Sequence, residues 1–131
     1  MQFQLATDYA IRILSYLHRQ NNQLATAVEM SEKLGITYLY FMKIIGKLRH
    51  AGLVQSVQGC NGGYRLACNA DHISFYDVVR VMEGELNINR CLADHAACSK
   101  HSAPHCKMHQ FFRTLQDDMI VSLKGKSIAE I

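Results

Sequence analysis

The sequence lacks the features of a membrane-spanning or exported protein. No run of about eighteen apolar residues occurs along its 131 residues, so no segment is long enough to cross a bilayer as a helix. The N-terminal residues Met-Gln-Phe-Gln-Leu carry neither a basic flank nor a cleavage pattern. We therefore expect a soluble, cytoplasmic protein with no membrane partner.

Motifs for catalysis are also missing. No glycine-rich nucleotide loop, hydrolytic triad or pair of acid-base carboxylates can be assembled from these residues. A thiol redox enzyme would need a Cys-x-x-Cys pair or a reactive thiolate near a helix N-terminus, and neither is evident in the sequence. The sequence therefore predicts a protein that binds and does not catalyse.

Acidic residues are scarce in the first half of the chain. Residues 1–67 carry seven Lys or Arg against three acids, whereas residues 68–131 carry seven against eight. Between Lys43 and Arg65 there are four basic residues and no acid. A basic face of this kind is typical of phosphate binding.

Apolar periodicity and capping residues predict three helices in this basic half. The first spans residues 8–20 after a cap at Thr7. A Thr-x-x-Glu capping box at residues 26–29 opens a short second helix, which Gly35 closes. Thr37 then caps a third helix with Phe41, Ile44, Ile45 and Leu48 on its inner face. Two helices joined by a tight glycine turn indicate a helix-turn-helix unit.

The outward side of the third helix is the predicted DNA-reading surface. Early residues of a recognition helix meet base edges and later basic residues meet phosphates. Packing positions in another three-helix domain are the alternative for its exposed tyrosines and leucine. The predicted DNA contacts on this helix are Thr37, Tyr38, Tyr40, Lys43, Lys47 and Arg49.

A β-hairpin follows the third helix. Two short strand-like runs flank the turn Gly59-Cys-Asn-Gly-Gly63, and an Asn-Gly pair is a strong hairpin signal. A hairpin placed directly after a recognition helix is a wing. We expect Asn61, Gly62 and Arg65 to contact the DNA backbone or a minor groove there.

The segment from Cys91 to His109 concentrates the potential metal ligands. It holds three of the five cysteines, four of the seven histidines and the only proline. The spacing Cys91-x6-Cys98-x7-Cys106 is longer than the Cys-x2-Cys knuckle of small zinc sites and suits a loop around an iron-sulfur cluster. A Cys3His zinc site or three unrelated thiols remain alternatives, whereas the odd number of cysteines disfavours a disulfide framework.

A long helix is predicted after this loop. It spans about eighteen residues and ends near Lys124-Gly125. One small domain can hardly cover the apolar side of such a helix, so we expect a homodimer that reads a palindromic operator; a helix folded back on its own domain is the alternative. The apolar stripe of this helix consists of Met108, Phe111, Phe112, Leu115 and Met119.

These elements predict a mainly α fold with a small β-hairpin wing. The predicted organisation is a winged helix-turn-helix domain over residues 1–84, a cysteine-rich loop over 85–106, and a dimerisation helix with a C-terminal tail over 107–131.

The residues resemble a family of bacterial winged-helix repressors that sense iron-sulfur status, nitric oxide or redox state, among them NsrR, IscR and RirA. The resemblance rests on Thr-Asp-Tyr-Ala, Phe-Met-Lys-Ile-Ile-x-Lys-Leu, Ala-Gly-Leu-Val, Gly-x-Asn-Gly-Gly-Tyr-Arg-Leu, Asp-Val-Val-Arg and the three-cysteine loop. It implies a homodimeric repressor that senses nitric oxide or redox stress. A regulator of iron homeostasis or iron-sulfur assembly, or a zinc- or thiol-based repressor, is the alternative.

The resemblance also implies a ligand set. Cys91, Cys98 and Cys106 would hold a 4Fe-4S or 2Fe-2S cluster. In NsrR-like members the remaining ligand is an aspartate at the start of the partner chain's first helix, which corresponds to Asp8. IscR-like members use a histidine three residues after the last cysteine, the position of His109. The segments Phe-Gln-Leu-Ala-Thr-Asp-Tyr-Ala and Met-Glu-Gly-Glu-Leu-Asn-Ile-Asn-Arg-Cys are more similar to NsrR, which favours Asp8.

Overall fold

The computed structural model describes residues 2–131. Within them, no helix combines the length and the apolar character needed to span a membrane. The prediction of a mainly α fold with one small hairpin is confirmed. In chain order the elements are α1 (Leu5–Arg19), α2 (Ala27–Leu34), α3 (Tyr38–His50), β1 (Val54–Val57), β2 (Gly63–Leu66), α4 (Phe75–Glu83), α5 (Arg90–Ala93) and α6 (Lys107–Lys124), with short 3-10 turns at Ala70–His72, His95–Ala97 and Ile128–Glu130.

Helix α1 starts earlier than the sequence predicts. Its cap is Gln4, and Thr7 lies inside the helix instead of capping it. The backbone amide of Gln4 and the hydroxyl of Thr7 both donate hydrogen bonds to the Glu83 carboxylate, at 2.6 and 2.5 Å. Because the last residue of α4 supplies an acceptor for a free amide at the start of α1, the helix needs no local side-chain cap.

The helix-turn-helix unit forms as predicted. The Thr26 hydroxyl accepts a hydrogen bond from the Glu29 amide at 3.1 Å and caps α2. Gly35 ends α2 in the left-handed conformation, at φ 66°, which a residue with a side chain rarely adopts. Thr37 caps α3 through the Tyr40 amide. Local capping therefore fixes where α2 ends and where α3 begins.

One apolar core lies beneath α1, α3 and α4. Apolar residues three and four positions apart place one face of each helix inside, and burying each such side chain stabilises the fold by about 1.5–3 kcal/mol. The largest buried side chains of this core include Ile13, Leu14, Leu17, Met30, Phe41, Ile44, Ile45 and Leu48.

The C-terminal tail returns to this core. The Phe75 amide donates to the Lys126 carbonyl at 2.8 Å, and the Ile128 amide donates to the Ile73 carbonyl at 2.9 Å. The Ile128 side chain is completely buried among core residues. The residues that follow α6 therefore help to hold the start of α4 in place.

The wing is anchored to the segment before α2. Strands β1 and β2 pair antiparallel from Val54↔Leu66 to Val57↔Gly63. The backbone of Ala25 exchanges two further hydrogen bonds with Tyr64, at 2.8 and 3.0 Å. A Cβ on Gly63 would lie only 2.7 Å from the Ala25 carbonyl oxygen, so glycine is required at this contact.

We predict that Gly63→Ala destabilises the protein by about 1–3 kcal/mol, because the added methyl group pushes the wing away from Ala25. Gly46→Ala is the matched control. Its Cβ meets nothing within 4 Å inside α3, so it should stabilise the fold by about 0.5–1 kcal/mol. Urea denaturation followed by circular dichroism measures both changes. Equal stability of the two variants would show that the Ala25 contact does not constrain the wing.

Candidate DNA interface and metal site

Helix α3 presents a basic and partly apolar face to solvent. Its buried side chains lie on one side, and Leu39 and Lys43 lie on the other. The Leu39 side chain is 82% exposed and Tyr38 is 49% exposed. Lys47 and Arg49 are exposed near the end of the helix, where cations also interact favourably with its dipole. This side of α3 can therefore meet a polyanion.

Tyr40 is less exposed to solvent than its position in the helical period predicts. It is half-buried, and its ring packs edge-on against Tyr9 with the centroids 5.7 Å apart. It also lines a cleft between α1, α3 and α4 together with Lys43, Lys47 and Met82. Its hydroxyl therefore lies at the flank of the predicted reading surface and not at its centre.

The wing presents a small polar tip. Asn61 is exposed, and a Cβ on Gly62 would overlap the carbonyl oxygen of Val57, so the turn is tight. Arg65 is half-buried in β2, and its guanidinium lies 3.4 Å from the Gln55 side-chain oxygen on β1. The hairpin thus orients one cation at its base and leaves backbone groups at its tip accessible.

The three loop cysteines lie on three successive short elements. Cys91 is in α5, Cys98 follows the 3-10 turn His95–Ala97, and Cys106 is the N-cap residue of α6. All three are half-buried free thiols. Within residues 2–131, no three His, Cys, Asp or Glu side chains converge to hold a single metal ion.

Backbone amides favour the thiolate form of two of these cysteines. The amide of Ser102, followed by those of Lys100 and Ala103, lowers the pKa of Cys98 to about 7. The amides of His109 and Met108, in the first turn of α6, lower the pKa of Cys106. The thiolate is the form of cysteine that attacks electrophiles and that binds metals. The lowered pKa values therefore favour both metal binding and direct oxidation of these thiols.

The position of Cys106 corrects one expectation from the sequence. A thiol does lie at a helix N-terminus, where the amides and the helix dipole stabilise its anion. The signal was present in the sequence, because the apolar stripe begins at Met108, two residues after the cysteine. Ser102, whose hydroxyl lies 3.9 Å from the Cys98 sulfur, was not identified from the sequence either.

His109 is the most unusual polar residue of this region. It is only 2% exposed, and neither ring nitrogen has a hydrogen-bond partner in the described part of the chain. Its ring meets the edge of the His95 ring at a centroid distance of 5.1 Å. A buried, unsatisfied imidazole is costly, and metal coordination is one way to satisfy it. His109 lies three residues after Cys106, so thiol and imidazole belong to the first turn of α6.

Asp8 has a different environment. It lies in the first turn of α1, and its carboxylate pairs with the Arg12 guanidinium at 2.8 Å. Its side chain is half exposed. A ligand role for Asp8 would require the partner chain to approach the start of α1.

The three loop thiols and His109 fit an iron-sulfur centre in donor chemistry. Thiolates are the main ligands of such clusters, and histidine can replace a thiolate. The lowered pKa of Cys98 and Cys106 supplies the ligand form, and the unpartnered nitrogens of His109 supply a further donor.

The helix-turn-helix, the wing packed against it and the basic face of α3 define a winged-helix DNA-binding protein. The chain belongs to the Rrf2 family of transcriptional regulators, because the family model, described as an iron-dependent transcriptional regulator, matches residues 3–131. Protein aau3 of Rhizobium meliloti (strain 1021) is 32% identical over 133 aligned positions, which cover 92% of this chain and 85% of that protein.

Two solved structures share the fold. CymR, the global cysteine regulator of B. subtilis, superposes with a TM-score of 0.76 at 22% identity, over 98% of this chain and 93% of that one. IscR of T. potens superposes with a TM-score of 0.72 at 22% identity, over 98% of this chain and 84% of that one. At this level of identity the likeness establishes the architecture alone.

We predict that Cys98 of the reduced, metal-free protein is alkylated by iodoacetamide about threefold faster at pH 7 than the exposed thiols Cys60 and Cys68. About half of Cys98 is thiolate at that pH, although a thiolate of low pKa is a weaker nucleophile. Peptide mass spectrometry gives each rate, and Cys60 and Cys68 serve as internal controls. Well above about pH 9, where all thiols are ionised, the order should reverse because the thiolate of lower pKa is the weaker nucleophile. Equal rates at pH 7 would contradict the lowered pKa.

Proposed function

We propose that the chain is a homodimeric repressor that binds a palindromic DNA operator and responds to nitric oxide or redox stress through an iron-sulfur cluster. The observation that carries this proposal is the buried, unpartnered His109 at the start of α6, one turn from the thiolate-favouring Cys106. The family's description as an iron-dependent regulator supports an iron-containing centre.

In this proposal Cys91, Cys98 and Cys106 hold a 4Fe-4S or 2Fe-2S cluster. When bound, the cluster supplies iron that reacts with nitric oxide and with oxidants. Thiolates bound to the cluster would fix the loop between α4 and α6, which already has contacts with both helices. One anchor is the Ile88 amide, which donates to the Gln116 side chain on α6 at 3.0 Å.

Two residues compete for the remaining ligand position. His109 is the better supported, because it is buried and its nitrogens have no partner within residues 2–131. Asp8 already has Arg12 as its partner and faces solvent. A role for Asp8 would tie the cluster to the second subunit, as in NsrR-like repressors.

The route from the loop to the DNA-binding surface passes through α4. The helix ends at Glu83, whose carboxylate accepts hydrogen bonds from Gln4 and Thr7 at the start of α1. Release of the loop can therefore shift α4 relative to α1 and to the recognition helix. A hundredfold loss of operator affinity requires only about 2.7 kcal/mol, comparable to a few hydrogen bonds of this kind.

The homodimer is supported by the exposed apolar stripe of α6. Met108, Phe111 and Leu115 are 60%, 63% and 46% exposed, and Phe111 contacts Phe112. Contiguous apolar surface of this kind marks an interaction site, and a twofold dimer presents the same surface on both subunits. Two α3 helices related in this way would read a palindrome.

A thiol-based repressor is the second candidate. The pKa of about 7 at Cys98 and the position of Cys106 at a helix N-terminus favour it, because both thiols can react directly with oxidants. A regulator that responds to iron or cluster occupancy would use the same ligands. Metal content and the signal that releases the operator separate these candidates.

We predict that anaerobically purified protein contains iron and acid-labile sulfide and that the serine variants of Cys91, Cys98 and Cys106 do not. His109→Ala should lose iron to a chelator at least about tenfold faster than the parent protein. Asp8→Ala should behave like the parent. Cys60→Ser and His105→Ala, at exposed positions, are the matched controls.

Iron and sulfide analysis with an absorption spectrum gives this result independently of DNA binding. Rapid iron loss from Asp8→Ala, with His109→Ala unaffected, would assign the ligand role to Asp8. Stoichiometric zinc, or colourless protein after anaerobic reconstitution, would overturn the iron-sulfur proposal and favour the thiol-based repressor.

The dimer gives a separate prediction. Phe111→Asp places a charge within the apolar stripe, so it should convert the dimer to a monomer at micromolar concentration in sedimentation velocity. Gln110→Asp introduces the same charge at the neighbouring exposed polar position and is the control. It should remain dimeric. A dimeric Phe111→Asp protein would place the interface elsewhere.

A further inference from the structure

The most exposed large apolar side chain among residues 2–131 is Leu39, at 82%. It lies in the first turn of α3, the part of a recognition helix that meets base edges. Its neighbours are mixed: Tyr38 beside it is 49% exposed, and Met42, almost one turn later, is half-buried. Thr37 precedes it at the helix cap, and Lys43 follows one turn later, both exposed. Leu39 is therefore the most exposed apolar group on a mixed, partly basic surface.

A protein partner does not account for this surface. Helix α3 packs on α1, α2, α4 and β1, whereas α6, which carries the apolar stripe, packs on α4 and α5. Leu39 does not extend that stripe. Leu39 and the half-exposed Tyr38, bordered by the exposed polar residues Thr37 and Lys43, form too small an apolar area for a protein docking surface.

The rest of the reading surface has few groups for polar base recognition. The first two turns of α3, Tyr38–Ile44, contain no Arg, Asn, Gln, Asp or Glu, the residues that pair best with the edges of guanine, adenine and cytosine. Lys43 is the only cation among them, and Tyr40 is half-buried against Tyr9. The apolar feature of the major groove is the C5-methyl group of thymine.

We propose that Leu39 reads a thymine in each operator half-site by packing on the C5-methyl group. The proposal rests on the proposed DNA-binding function and deepens it, since it names one base pair of the operator. Leu39 thus determines specificity, whereas Lys43 contributes a sequence-independent charge.

The test uses the full-length protein and DNA only. Duplexes are first selected by the parent protein from a randomised pool, and the recovered consensus is synthesised with uracil in place of thymine at one position at a time. Uracil keeps the base pair and removes only the methyl group. Fluorescence anisotropy then gives the dissociation constant of each duplex for the parent, Leu39→Ala, Val28→Ala and Lys43→Ala.

We expect uracil at one position of a half-site to weaken binding by the parent about fourfold, the value for one buried methyl group. Leu39→Ala should bind the thymine and uracil duplexes equally. Val28→Ala, which truncates an exposed apolar side chain on α2, should keep the parent's discrimination. Lys43→Ala should weaken both duplexes alike and reduce the salt dependence of binding.

The other outcomes are distinguishable. A consensus without a fixed T·A pair, a parent protein indifferent to uracil at every position, or a Leu39→Ala protein that still discriminates would each overturn the role of Leu39 and leave DNA binding intact. Failure of the parent protein to recover any duplex would overturn the DNA-binding function itself. Since Leu39 is exposed, its truncation should not affect folding, and circular dichroism verifies this.

Discussion

The geometry of the DNA-binding half depends on the backbone pairing between Ala25 and Tyr64. A two-stranded hairpin such as β1–β2 is at best marginally stable alone, and this pairing adds two hydrogen bonds from the segment that enters α2. The contact is possible because Gly63 leaves room for the Ala25 carbonyl. Since α2 packs against α3, the same contact holds the wing close to the recognition helix.

A second nonlocal contact joins α1 to the end of α4, the helix that precedes the cysteine loop. Glu83 ends α4, and its carboxylate accepts hydrogen bonds from Gln4 and Thr7, which start α1. The tail holds the other end of α4, through Lys126 and Ile128. Helix α4 is therefore held at both ends, and it packs on both α1 and α3. In the proposed mechanism a change in the loop would reach the reading surface through this helix without a large rearrangement.

Elements fixed by local contacts could be predicted from the sequence, whereas those fixed by contacts between distant residues could not. Helices α2 and α3 were predicted because their caps, Thr26 and Thr37, act on amides three residues away. The start of α1 was placed wrongly at Thr7, because the acceptor for the Gln4 amide, Glu83, lies 79 residues away in sequence. Tyr40 looked outward by helical period, but Tyr9 of another helix covers it. Periodicity identifies the buried face of a helix and does not identify which neighbour covers its flank.

The candidate metal site could also be predicted only in part from the sequence. Spacing pointed to the three cysteines and the family resemblance to the two candidate ligands, but only the fold distinguishes a buried His109 from an ion-paired Asp8. The lowered pKa of Cys98 arises from amides of the following turn, which sequence spacing does not reveal. Metal coordination and direct oxidation both require the thiolate, so the features that favour binding iron also favour reaction with oxidants. A bound metal would therefore protect these thiols, and its loss would expose nucleophiles in the same loop. One set of residues can thus support a cluster sensor and a thiol sensor within a single fold.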